Sequence, residues 1–377
     1  MTDLEDRIRE ALKDPRRQLP VWPDPMWRIR HAVRRQRAAA AAVTAAVVAA
    51  IVTPLALLSG LAAHPARPPG KGPSASTSPP SPVGGMFGPS AGLSGRVPSW
   101  AKHLRGEVAY KCADRICLMR PDGSASRTLT ATFPEWDPAW SPNGRDLAFR
   151  GYYGSGDGQY DLYAVSTNGC HLTRLTHGLN GTTPSWSPNG RRIAFTAGGI
   201  DVINPDGTGF RRLIADTSTH FASSPTWSVR NQIAFVRESG RSPLEIYAVN
   251  VDGSGLLALT RGGPGFGQPS WSPDGRRIAL VAITHPLYST GTIEVASADG
   301  ASSHAVSPTS WMTFSPTWTP DGKIVFLRQI GAPTQSAAAP TSAYIVNPDG
   351  SGLHLLYPNL NAVQITWGST TLPKPTC

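Results

Sequence analysis

The sequence predicts an all-β globular region, a six-bladed β-propeller at residues 101–370, preceded by a single transmembrane helix and a disordered linker. Three observations support this fold class. A turn-and-strand unit recurs every 41 to 49 residues, the two ends of the repeat region complement each other, and an uncharged apolar run lies near the N-terminus. Repeats of this length are typical of four-stranded propeller blades.

Each repeat unit has the same order of residues: Pro-x-Trp, a turn such as Ser-Pro-Asp-Gly, and a strand such as Ile-Ala-Phe. Proline and glycine favour the tight turn, and the large and small residues that alternate after it favour a strand. A second strand rich in β-branched and aromatic residues follows, and in most units an Asp-Gly turn closes it. We expect one tryptophan to anchor each blade against its neighbour. The six anchors are Trp140, Trp186, Trp227, Trp271, Trp318 and Trp367.

The two ends of the repeat region each hold part of a unit. Residues 107–130 supply three strands without the tryptophan strand, and residues 363–368 supply a tryptophan strand alone. Together they make one complete blade, so we predict that N- and C-terminal strands pair and close the ring. Such closure removes the exposed edges of an open sheet.

The signature Pro-x-Trp-Ser-Pro-Asp-Gly-x-x-Ile-Ala-Phe, followed by Ile-Tyr-x-Val-Asn-x-Asp-Gly, resembles the TolB-type propeller repeat over about residues 105–368. The resemblance implies the fold. TolB proteins are periplasmic, with an α/β domain before the propeller, and they join an envelope-spanning complex; this chain has an apolar run and a linker there, so that role is not implied. The repeat is also similar to the propeller of prolyl-oligopeptidase-type peptidases, but no α/β-hydrolase segment follows Trp367 in this sequence.

An uncharged run at residues 38–63 predicts a transmembrane helix, because about 20 apolar residues span the hydrocarbon core. Five arginines at residues 28–37 precede the run, and Arg67 alone follows it closely. The positive-inside rule then makes residues 1–37 a cytoplasmic stub and places the propeller outside the cytoplasm. We expect a single-pass cell-membrane protein. The alternative is a cleaved secretory signal ending near residues 61–63, which exports the same domain.

The remaining segments and the charge exclude some partners. Residues 64–100 are rich in Pro, Gly and Ser and predict a disordered linker, and residues 371–377 are a C-terminal tail. Of the net charge of +10, only +3 falls on residues 101–377. We therefore predict no nucleic-acid partner, since phosphate binding requires a dense basic surface.

The four cysteines all lie on the expected extracytoplasmic side, where disulfides persist. Cys112 and Cys117 flank the turn of the first hairpin, and we predict a structural disulfide between them. Cys170 and Cys377 remain, but four cysteines allow three connectivities, so their pairing stays open. We predict no catalytic residue, metal site or cofactor. The histidines are scattered over unlike repeat positions, and the Asp-Gly aspartates are interpreted as turn formers.

Two connections between second and third strands are longer than the others, at residues 151–160 and 330–340. Longer loops on one rim of a propeller often carry recognition. We therefore predict a candidate recognition loop at Tyr152, Tyr153 and Tyr160, suited to a protein or cell-envelope ligand. The leading hypothesis is a non-catalytic interaction or ligand-binding propeller that senses or scaffolds in the envelope. Two alternatives stay open: a channel-sited enzyme (lyase, cyclase or hydrolase) and transmembrane signalling through the stub.

Overall fold

The computed structural model describes residues 95–129, 134–152, 160–240, 243–263, 265–285, 290–331 and 340–368. The predicted stub, transmembrane segment, most of the linker and the tail lie outside this part of the chain, as does Tyr153. Within the described residues, no helix has the length and apolar character needed to cross a bilayer. A short 3-10 helix, η1, spans Ser99–His103, and the other regular elements there are β-strands.

One four-stranded sheet contains strands from both ends of the chain, in the order β24-β1-β2-β3. Its strands are β1 (Glu107–Cys112), β2 (Arg115–Met119), β3 (Arg127–Thr128) and β24 (Ile365–Gly368). Strand β1 pairs antiparallel with β24 from Glu107↔Gly368 to Tyr110↔Ile365. This pairing is the closure that the repeat pattern predicts, and we call this sheet the seam sheet.

Three further sheets each contain four consecutive antiparallel strands. The first has β4 (Glu135–Trp140), β5 (Asp146–Tyr152), β6 (Tyr160–Ser166) and β7 (Thr173–Arg174). The second has β8 (Thr182–Trp186), β9 (Ile193–Thr196), β10 (Gly199–Ile203) and β11 (Arg211–Ala215). The third has β12 (His220–Trp227), β13 (Gln232–Ser239), β14 (Glu245–Asn250) and β15 (Leu257–Ala258).

The last eight strands before β24 form a single sheet. They are β16 (Phe266–Trp271), β17 (Arg277–His285), β18 (Thr290–Ser297), β19 (Ser303–Ala305), β20 (Met312–Trp318), β21 (Ile324–Gln329), β22 (Thr341–Val346) and β23 (His354–Tyr357). The described residues therefore hold four separate four-stranded sheets and one eight-stranded sheet. The expectation of six separate blades is wrong in this region, because two repeats share the eight-stranded sheet. A bridge between Gly291 and Thr313 joins β18 to β20, and the Thr313 hydroxyl also donates to the Gly291 carbonyl.

The first strands of successive repeats lie side by side at the centre of the fold. Strands β24, β4, β8, β12, β16 and β20 contact one another in that order, and β20 contacts β24 in turn. The contacts therefore close in a cycle, which is the arrangement of a propeller. Because neighbouring strands run antiparallel, the connections between them alternate between two opposite ends of each sheet. We call the end with the Ser-Pro-Asp-Gly turns the turn rim, and the end with the connections between second and third strands the loop rim.

The repeated tryptophans lie at the ends of the first strands, as the last residue in five of them and as the next-to-last residue, Trp367, in β24. Five of the six are between 6% and 9% exposed, and Trp227 is half-buried. The indole N–H of Trp186 donates to the carbonyl of Ala139 at 3.1 Å, and that of Trp318 donates to Ser270 at 2.9 Å. Both acceptors belong to the preceding repeat, so these rings link neighbouring repeats as well as filling the space between them.

The Asp-Gly turns use their carboxylates internally. Asp252 accepts hydrogen bonds from the backbone N–H of Ser254 at 2.9 Å and from its hydroxyl at 2.6 Å. These bonds hold the pKa of Asp252 below its ordinary value, and the same arrangement lowers the pKa of Asp206 and Asp349. The carboxylates therefore stabilise the turns.

Cys112 and Cys117 are joined by a disulfide that closes the β1–β2 hairpin, with their Cα atoms 5.8 Å apart. Cys170 is also disulfide-bonded. Cys377 lies outside the described residues, so its pairing stays a prediction.

Candidate functional site

A polar residue lies three positions before each repeated tryptophan. We call these six residues the polar belt: Asp137, Thr183, Ser224, Gln268, Ser315 and Gln364. All six are half-buried. The first five have φ between 49° and 56° and lie at shifts in strand register. Because a left-handed backbone costs about 1–2 kcal/mol at a residue with a side chain, other contacts must stabilise these five bulges.

The stabilising contacts are hydrogen bonds from one repeat to the next. The side-chain carbonyl of Gln364 accepts the N–H of Asp137 at 2.7 Å, and that of Gln268 accepts the N–H of Ser315 at 2.6 Å. The Ser315 hydroxyl in turn accepts the N–H of Ile365 at 3.2 Å. The bulges thus turn polar side chains towards the neighbouring repeat, and the belt fastens first strands together.

Asp137 is the one charged residue of the polar belt. Its carboxylate lies 3.1 Å from Nε of Arg150, with the two side chains 9% and 22% exposed. The side-chain amide of Gln364 donates to the same carboxylate. Loss of one partner from such a largely buried ion pair destabilises the folded protein, because the other charge is left without compensation.

Arg150 also lies between two aromatic rings. Its guanidinium carbon is 5.2 Å from the ring centroid of Trp136 and 4.9 Å from that of Tyr160, which is within cation–π range. Strand pairing sets this geometry, since Trp136 is opposite Arg150 and Tyr152 is opposite Tyr160. The Tyr160 centroid is 5.8 Å from Trp136 and 5.6 Å from Tyr152.

A lysine from the seam sheet completes the cluster. Nζ of Lys111 lies 5.1 Å from the Trp136 ring centroid and 3.4 Å from a carboxylate oxygen of Asp114. We call this cluster the seam site: Lys111, Trp136, Arg150, Tyr152 and Tyr160. It brings three aromatic rings and two cations together on the loop rim, at the junction of the seam sheet with β4–β6.

A buried carboxyl group lies beneath the seam site. Glu135 is fully buried, and one of its carboxylate oxygens accepts the backbone N–H of Ile116 at 3.2 Å. The other oxygen has no hydrogen-bond partner within the described part of the chain. Burial raises the pKa of Glu135 to about 7, although the Ile116 bond and the charge of Arg115 act in the opposite direction. Glu135 therefore joins β4 to the disulfide-closed hairpin that carries Lys111.

The sequence predicts part of this site. It singles out Tyr152 and Tyr160, which the structure places opposite each other, while Tyr153 lies outside the described residues. Trp136 and Arg150 are not predicted. The available signal is that Trp136 is a tryptophan outside the repeat register, four residues before an anchor.

Two other kinds of site in the described residues would be a cluster of metal ligands and a groove. Nowhere in the described residues do three His, Cys, Asp or Glu side chains converge as metal ligands would. An open groove of about 470 Å³ lies on the outer edge of the sheet β12–β15. Its lining residues are Glu245, Tyr247, Leu256, Leu257, Ala258 and Arg261. With a single aromatic ring, the groove offers less for recognition than the seam site.

No family model and no curated protein sequence matches the chain. Among solved structures, it is similar to TolB from Acinetobacter baumannii, with a TM-score of 0.56 and 21% identity over 73% of this chain and 68% of that one. The fold is that of a TolB-type propeller. A second TolB-like match is the putative TolB from Agrobacterium tumefaciens, with a TM-score of 0.51 and 19% identity over 72% of this chain and 93% of that one.

The same fold occurs within an enzyme. Hydrazine synthase from Kuenenia stuttgartiensis matches with a TM-score of 0.55 and 15% identity, over 73% of this chain and 49% of that one. At such identities the TolB-like and enzyme matches describe a shared fold, so function must be argued from the side chains of this chain.

Proposed function

We propose that this chain is a non-catalytic, extracytoplasmic interaction propeller whose ligand, a protein or another cell-envelope component, binds at the seam site. The observation that carries the proposal is the convergence of three aromatic rings and two cations from two sheets on the loop rim. Tryptophan, tyrosine and arginine are enriched among the few residues that carry most of the binding energy at protein interfaces.

The charges of the seam site favour binding over catalysis. Arg150 is paired with Asp137, and Lys111 with Asp114. A general acid or base must reach its substrate, whereas Glu135, the carboxyl group with the raised pKa, is fully buried. Compensated cations with half-buried rings form a stable contact surface.

Site-specific cross-linking of the full-length chain in cells tests the seam site. We expect p-benzoylphenylalanine in place of Tyr160 to give a discrete cross-linked product, and Trp136→Ala to reduce its yield about tenfold, as loss of a central aromatic contact does. The control position is Phe210, which is 46% exposed on the turn rim. Equal product from Phe210, or a yield that Trp136→Ala leaves unchanged in a variant with normal thermal unfolding, would contradict the proposal.

We further infer that the propeller has six blades, with the eight-stranded sheet counting as two. Two observations support this count. The bridge between β18 and β20 involves a single residue pair, Gly291 and Thr313. The central cycle also contains six first strands, β20 among them.

We propose that residues 38–63 anchor the chain in the cell membrane with residues 1–37 in the cytoplasm. The uncharged run and the five arginines before it support this orientation.

Protease added to intact cells tests the anchor and its orientation. With tags at both ends, we expect the C-terminal tag to be digested and a membrane-bound N-terminal fragment to survive. If the C-terminal tag stays protected after any outer barrier is opened, the topology is the opposite of the one proposed. Loss of the N-terminal tag from the mature protein would instead favour the cleaved signal.

A further inference from the structure

A second cluster of aromatic and arginine side chains lies on the loop rim, in strands β20–β22 and the turn before them. The guanidinium carbon of Arg328 is 3.8 Å from the ring centroid of Trp311 and 5.8 Å from that of Tyr344. One guanidinium N–H donates to the Tyr344 hydroxyl at 3.3 Å, and the two rings are 4.8 Å apart. All three side chains are half-buried.

The charge of Arg328 distinguishes this cluster from the seam site. In the seam site Arg150 is paired with Asp137, and elsewhere in the fold Arg174 is paired with Asp161 and Arg212 with Asp201. No carboxylate of the described residues lies within 4.0 Å of the Arg328 nitrogens. Residues 332–339, outside the described part, contain no Asp or Glu in the sequence. Among the described residues, the guanidinium is therefore held between the two rings without a carboxylate partner.

We propose that Arg328, on the platform of Trp311 and Tyr344, binds a carboxylate of an acidic peptide segment. The planar guanidinium presents paired N–H donors whose spacing matches the two oxygens of a carboxylate. The rings fix the plane of the guanidinium and offer apolar contact to the stem of a Glu or Asp side chain. One cation matches the single charge of a carboxylate, whereas a phosphate dianion requires a second cation.

The site is separate from the seam site and does not depend on it. Arg328 belongs to β21, whereas the seam site lies on β1 and β4–β6, which belong to two other sheets. The two clusters lie on the same rim, so one macromolecule could contact both.

Peptide binding to the full-length protein in detergent micelles tests the proposal. The probe is a fluorescein-labelled, C-terminally amidated Glu-Glu-Phe-Glu-Glu peptide, and the reference is Gln-Gln-Phe-Gln-Gln. We expect the acidic peptide to bind at least tenfold more tightly, and Arg328→Gln to abolish that preference. Arg328→Lys should also lose most of it, because an ammonium group does not reproduce the planar fork.

A matched control separates this site from general charge attraction. Arg237→Gln removes the same charge from the corresponding position of β13, where Arg237 lies 5.0 Å from the Tyr247 ring centroid. We expect this variant to bind the acidic peptide within twofold of the wild type. An equal loss in Arg237→Gln, or no loss in Arg328→Gln, would overturn the proposal.

Two further measurements cover the remaining outcomes. The first is competition for the bound peptide by inorganic phosphate and by glutarate. If phosphate displaces the peptide at a tenfold lower concentration than glutarate does, the site prefers phosphate to carboxylate, and the assignment is overturned. If Arg328→Gln fails to fold, Tyr344→Phe removes only the hydroxyl that orients the guanidinium. That variant should weaken peptide binding about threefold with unchanged thermal unfolding, and unchanged binding would count against the site.

Discussion

Replacement of Asp137 by alanine is expected to lower the free energy of unfolding by about 3 kcal/mol or more. The main reason is that the half-buried Arg150, 22% exposed and 3.1 Å from the carboxylate, would lose its charge partner. The side-chain amide of Gln364 would lose an acceptor as well. Alanine also tolerates the φ of 56° at this position poorly, which adds about 1 kcal/mol.

Two further variants separate these contributions. Asp137→Gly removes the same side chain but accepts the left-handed backbone, so it should be about 1 kcal/mol more stable than Asp137→Ala. Combining Asp137→Ala with Arg150→Met removes the unpaired charge and should recover part of the loss. Urea unfolding followed by tryptophan fluorescence measures all three. A loss below about 1 kcal/mol in Asp137→Ala would mean that the polar belt does not hold the repeats together.

The fold is predictable from the sequence because its signals are local and repeated. Proline and glycine fix each turn, and one tryptophan at the same place in every unit marks the first strand. Closure between β1 and β24 follows from counting strands at both ends. The join between β18 and β20 does not follow, since it depends on Thr313 meeting the backbone of Gly291 across two repeats. No repeat position marks that contact.

The polar belt is visible in the sequence but its meaning is not. The third residue before each anchor is polar in all six units, from Asp137 to Gln364. Polar residues near the start of a strand are ordinarily solvent-facing, so the pattern by itself indicates only exposure. The positive φ values and the bonds between repeats show why these positions are polar.

Each aromatic cluster contains a tryptophan that lies outside the repeat register, and counting repeats does not reveal it. The chain has eleven tryptophans, six of which are anchors, and Trp136 and Trp311 are among the remaining five. A large aromatic residue outside the repeat register has no place in the shared packing, so it marks a feature of one blade. The arginine partners could not be assigned without the strand register, which places Arg150 opposite Trp136 and Arg328 opposite Thr313, two residues after Trp311.

The stability of the propeller should fall between pH 4.5 and about 7 because of Glu135. Its pKa is about 7 in the folded chain against an ordinary value of 4.5, so in this window the folded state holds a proton that the unfolded state has released. The free energy of unfolding therefore decreases as pH rises, by up to about 3 kcal/mol for a shift of this size, and levels off above the folded pKa.

Glu135→Gln removes this ionisation while keeping an acceptor for the N–H of Ile116. At pH 8 the variant should be more stable than the wild type by up to about 3 kcal/mol, and near pH 4.5 the two should be about equal. Burial also raises the pKa of Asp201 and of the half-buried Asp216, but these groups titrate alike in both proteins, so the difference between the proteins isolates Glu135. Urea unfolding at intervals from pH 4.5 to 8 measures that difference. A difference independent of pH would mean that the Glu135 carboxyl is ionised throughout, and that the hairpin carrying Lys111 packs on β4 without the protonated carboxyl that the buried geometry requires.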